Sequence, residues 1–139
     1  MDLLHFSLQE IGMKKFVLIL TGIGITLLCS TGIALAGDEA IQTMARITMS
    51  LNHYPSDDDK VALKGILDND DNSEEATDIA MALSNFEHKI LEKDTDRLSD
   101  IISDDSTDAG ARKLATILLR VNHSPSDEDK TELSALAEE

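Results

Sequence analysis

Three histidines stand 35 residues apart, at His53, His88 and His123. Imidazole is the commonest metal-ligating side chain, so a periodic set of three first raises the question of a metal. The geometry of stacked hairpins gives an answer. Equivalent positions in stacked helical pairs are separated by about 8–10 Å or more. A zinc ion needs each ring nitrogen about 2 Å away. Three equivalent histidines are therefore not expected to share one ion. Each is expected instead near the end of a helix, capping carbonyl groups and packing in the turn.

A second pattern, Asp68-x-Asp70-x-Asn72, fills the first three ligand positions of a calcium loop. Ser73 then stands where the loop needs glycine, and Ile79 where it needs a bidentate glutamate. The segment is expected to be a solvated acidic linker. No nucleophile elbow, His-Glu-x-x-His, phosphate loop or dinucleotide fingerprint occurs. The expected chemistry is therefore non-enzymatic, with no catalytic, cofactor-binding or metal site.

The elements that position these residues follow from an internal repeat. Residues 52–60 read Asn-His-Tyr-Pro-Ser-Asp-Asp-Asp-Lys, and residues 122–130 read Asn-His-Ser-Pro-Ser-Asp-Glu-Asp-Lys. Half of that 70-residue offset also works, pairing Ala45 with Ala80 and Ala115, and Leu63 with Leu98 and Leu133. Three repeats result, at about 38–72, 73–107 and 108–139, with the middle one most changed at its turn.

Within each repeat, apolar or small residues recur at helical spacing. Ile41, Met44, Ala45, Thr48 and Leu51 lie on one face, as do Ala76, Ile79, Ala80, Leu83 and Phe86, and then Ala111, Leu114, Ala115, Leu118 and Val121. A shorter second stripe follows: Leu63, Ile66 and Leu67; Leu98, Ile101 and Ile102; Leu133, Leu136 and Ala137. Ser56 with Asp59 and Ser126 with Asp129 have the spacing of a helix N-cap and an acidic third position. Pro55 and Pro125 are expected to end the preceding helices. Capping does not account for Asn52, Asn122, Lys60 or Lys130; helix-end hydrogen bonds and an ion pair across the first turn are the simplest expectation.

No alternating strand pattern occurs. The expected fold is all-α, with six helices as three tandem antiparallel hairpins of 35 residues, in an open solenoid or a closed bundle. The period resembles that of tetratricopeptide repeats, but the aromatic and glycine positions of that consensus are missing, so the resemblance is architectural only.

Residues 13–36 carry the marks of an export signal: Lys14 and Lys15, an apolar run over 16–28, and Ala34-Leu35-Ala36 before the expected cleavage point. Residues 1–12 add nothing to a signal and are expected to be an upstream start artefact, with Met13 as the true start. The segment 16–36 is also long enough to anchor in a bilayer. A lipid on Cys29 is disfavoured by the bulk of Leu28. Cys29 is the only cysteine, so cleavage leaves residues 37–139 without a thiol.

Lys and Arg total 12 against 27 Asp and Glu, a formal net charge of −15, all of it after residue 36. Such a surface repels nucleic acid and anionic lipid and attracts cations or basic proteins. These features lead to an exported protein, periplasmic or secreted, without stable membrane insertion once the signal is removed. The expected role is a protein-binding or structural module of the cell envelope whose partner has a basic surface; the alternative is an acidic cation-binding or buffering protein.

Overall fold

The structure is a computed structural model and describes residues 34–138. The expected upstream segment 1–12 and the expected signal up to residue 33 lie outside the described residues. Residues 34–36, the end of that signal, belong to the first helix. Among the described residues there are six helices and no strand: α1 (Ala34–Ser50), α2 (Asp57–Leu67), α3 (Glu74–Ser84), α4 (Glu92–Ser103), α5 (Ala109–Arg120) and α6 (Asp127–Leu136). None of these helices is long and apolar enough to cross a membrane.

The helices start where their capping chemistry is. Ser56 opens α2 and Ser126 opens α6, each with a complete capping box: the serine oxygen accepts from the amide of Asp59 or Asp129, whose carboxylate accepts from the serine amide. Ser73 and Asp108 cap α3 and α5 in the same sense, accepting from Ala76 and Ala111. Helix α4 differs. Leu91 occupies its N-cap and offers no side-chain acceptor. There, Asn85 Nδ2 donates to Asp94 Oδ2 at 3.1 Å from the end of the preceding helix.

The stripes read from the sequence form most of the core; Leu67 and Ile102 are only partly buried, and Ile47, Ala82 and Ile117 join the core from outside the stripes. Met44, Ile79 and Leu114 occupy one repeat position and are fully buried, and so are Thr48, Leu83 and Leu118 at another. Thr48 pays for its burial by donating its hydroxyl to the Met44 carbonyl at 2.7 Å. Ala45, Ala80 and Ala115 are likewise fully buried. A methyl group at each of these positions lets the backbones of α1, α3 and α5 approach, and these three helices pack pairwise against one another. Leu63, Leu98 and Leu133 anchor the outer helices, each fully buried.

The outer helices do not pack chiefly within their own repeats. Helix α2 lies mainly on α3, α4 on α5, and α6 on α1. Each repeat thus covers the inner helix of the next, and the last repeat covers the first. Arg46 on α1 reinforces that junction by donating to the Ala137 carbonyl at 2.6 Å. The alternative of an open stack is thereby decided in favour of a closed bundle with approximate threefold symmetry.

Candidate metal centre

The turn between the two helices of each repeat is pinned at both ends. Leu51, Phe86 and Val121 are buried just before it, and Pro55, Ile90 and Pro125 just after it. The prolines do not end the preceding helices as expected: α1 stops at Ser50 and α5 at Arg120, each five residues earlier. The chain reverses instead at the histidines. His53, His88 and His123 have φ of 75°, 64° and 68°, in the left-handed region, and they are the only non-glycine residues there among those described. For an L-residue this conformation costs roughly 1–2 kcal/mol.

What offsets that cost is a ring of backbone hydrogen bonds. The His53 amide donates to the His123 carbonyl at 2.7 Å, the His88 amide to the His53 carbonyl at 2.6 Å, and the His123 amide to the His88 carbonyl. Each turn supplies one donor and one acceptor, so the three close on themselves around the pseudo-threefold axis. The histidines therefore do not cap helix carbonyls.

The side chains converge as a result. Ring centroids are 4.9–5.0 Å apart in all three pairs. One ring nitrogen from each histidine lies within 4.8 Å of those from the other two. The expected separation of about 8–10 Å or more between equivalent positions is wrong for these rings, because closing the bundle turns the three positions inward to one point. Histidines set aside on the sequence's spacing are the residues the structure brings together.

The arrangement also explains two residues that capping left unexplained. Asn52 Oδ1 lies 2.7 Å from His53 Nδ1, and Asn122 Oδ1 lies 2.7 Å from His123 Nδ1. An amide oxygen only accepts, so this contact is a hydrogen bond in the tautomer that carries its proton on Nδ1, the one whose lone pair is on Nε2. Metal-bound histidines are held in this way, by an acceptor on the nitrogen that does not bind. In the middle repeat the asparagine position is Glu87, also an acceptor by type. Lys60 pairs across the first turn of α2 with Asp57 at 3.4 Å, as the simplest expectation had it.

An ion bound to nitrogens at about 2.1 Å holds them roughly 3.4 Å apart in tetrahedral geometry. The rings would have to swing inward by about an ångström from the observed upper separation. They have room for this, since His88 and His123 are exposed and His53 is half-exposed. The same exposure argues against a role in packing alone, because rings open to solvent fill no core. The middle turn argues the same way. Relative to its counterparts it has changed to Glu87, Lys89, Ile90 and Leu91, yet it keeps His88. A left-handed position by itself favours glycine or asparagine, and neither supplies a ring.

The other candidate does not assemble. Asp68 ends α2 and pairs with Lys64 at 2.5 Å, while Asn72 Nδ2 donates to the Ile66 carbonyl at 2.9 Å. These groups tie off a helix end, and among the described residues the histidine triad is the one group of acidic, thiol or imidazole side chains that converges as ligands.

No protein-family model matches this chain, and comparison with curated proteins and with solved structures found no match.

Proposed function

We propose that this protein is a non-enzymatic metal-binding module of the cell envelope that holds one divalent transition-metal ion on His53, His88 and His123. The observation that carries the reading is the convergence of three imidazoles, one from each repeat, with ring nitrogens within 4.8 Å. Neutral imidazole suits zinc, copper, nickel and cobalt rather than calcium or magnesium, which take oxygen ligands. The net charge of −15 enriches cations around the molecule without choosing among them; the histidines make the choice. The apolar and small-residue pattern of residues 13–36 supports export. The tandem repeat supports descent of the site from one hairpin copied three times.

The reading of the chain as a protein-binding module rests on acidity and repeat architecture, which name no particular partner chemistry. The triad does name one, and metal is preferred on that ground. Equilibrium dialysis of the purified protein against zinc, followed by metal analysis, tests it. One zinc per chain is expected, falling to none when the three histidines are replaced together by asparagine. Equal zinc content in the two proteins would sink the assignment.

A further inference from the structure

We propose that an ion on His53, His88 and His123 keeps a coordination position for a small exogenous anion, which approaches through the cleft beside His88. This rests on the metal reading above and adds a second ligand to it.

The donor count is the first argument. Three imidazoles converge, and among the described residues no aspartate, glutamate or cysteine joins them. Zinc and cobalt take at least four ligands, and zinc sites with three protein donors are those that bind a further ligand from solution. The second argument is charge. Three neutral imidazoles leave the full +2 of the ion uncompensated, whereas thiolate or carboxylate ligands would cancel it. A centre of that charge attracts an anion at short range.

The third argument is the neighbourhood. A net charge of −15 makes most of this surface hostile to anions. The wall that contains His88 differs. It borders a cleft of about 600 Å³ between the first two repeats, lined also by Lys60, Lys93 and Tyr54, with Glu87 as its one carboxylate. That volume lies within the range of small-molecule sites. Lys60 is paired with Asp57 at 3.4 Å, which leaves Lys93 to balance Glu87, so this wall is close to neutral on a surface that is otherwise strongly negative. The residues that create this character belong to repeats one and two. Repeat two has Lys93 where the others have Asp58 and Glu128. The anion therefore has one preferred approach to a site whose ligands are threefold.

Cobalt provides the probe, because its visible absorption reports changes in coordination. The full chain is loaded with Co²⁺ and titrated with azide. A saturable spectral change at millimolar azide is expected. Replacing both lysines (Lys60→Met with Lys93→Met) should leave cobalt stoichiometry at one and weaken azide about 2- to 10-fold, the scale of two exposed charge interactions. If cobalt loads and azide leaves the spectrum unmoved, the coordination sphere is closed: the proposal fails and the metal reading stands. An azide response identical in the lysine variant removes the cleft as the route and overturns the proposal as stated. Failure of cobalt to load at all overturns both.

Discussion

Zinc should raise the unfolding temperature of this protein, and the size of the rise can be worked out. An ion that binds only the folded state stabilises it by RT ln(1 + [L]/Kd), about 2.7 kcal/mol at a concentration a hundredfold above Kd. The three histidines meet only when all three repeats are in place and α6 has closed on α1, so the unfolded chain presents no comparable site. For a domain of this size each kcal/mol moves the midpoint by about 4–8 °C. The expected shift is therefore roughly 10–20 °C. The assay is a circular-dichroism melt at 222 nm, the usual helix band, with chelator and then with zinc. Calcium serves as the control for the acidic surface, since three imidazoles give an oxygen-seeking ion no advantage, and it should move the midpoint far less. The decisive variant replaces all three histidines by asparagine, which tolerates the left-handed backbone. It should melt near the metal-free wild type and ignore zinc. An unmoved wild-type midpoint at millimolar zinc, or an equal rise in the variant, would refute the reasoning.

Three further outcomes follow from the geometry. His88→Gly should be more stable than His88→Ala by about 1 kcal/mol in urea unfolding, because glycine accepts the left-handed turn that alanine resists; equal stability would mean that the turn relaxes. Gly65 sits inside α2 with nothing within 4 Å of where a Cβ would lie, so Gly65→Ala should raise the urea midpoint by about 0.5–1 kcal/mol worth of stability. Burial would raise the Asp129 carboxyl, but the Ser126 hydroxyl and amide, and then Arg120, outweigh it and hold the group below the usual carboxylate range. A depressed native value means that its stabilisation is complete above the unfolded carboxylate value, about 3.9, and is lost as pH falls through the native one. Asp129→Asn should therefore cost about 1–3 kcal/mol at neutral pH, with the two unfolding free energies converging in acid; a gap that persists in acid would show that the charge is not what matters.

The helices were legible because their signals are local. An apolar stripe at helical spacing must be buried whatever it packs against, so Leu63, Leu98 and Leu133 could be assigned to the core before their neighbours were known. Ser56 and Ser126 announced their capping boxes for the same reason. Closure was not legible. The stripe of α1 reads identically whether its neighbour is solvent at the end of a stack or α6 returning from the last repeat. The shared small position at Ala45, Ala80 and Ala115 was visible, and it is the feature that allows three inner helices to meet; read as spacing alone, it says nothing of a common axis. Nor does a histidine advertise a left-handed backbone as a glycine would. The convergence of the three histidines was not foreseen because it depends on those two non-local facts, and Asn52 and Asn122 were unexplained until the rings they face were in place.

Closure also sets a limit on how this molecule can grow. A linear array always has an end to which another copy can be added, because its terminal unit leaves one face uncovered. Here α6 occupies the face of α1 that a fourth copy would need, and each histidine already gives its amide to one neighbour and its carbonyl to the other. A fourth unit would have to break that circle before joining it. A duplicated chain that keeps this closure would accordingly form two separate rings on a tether, each with its own triad.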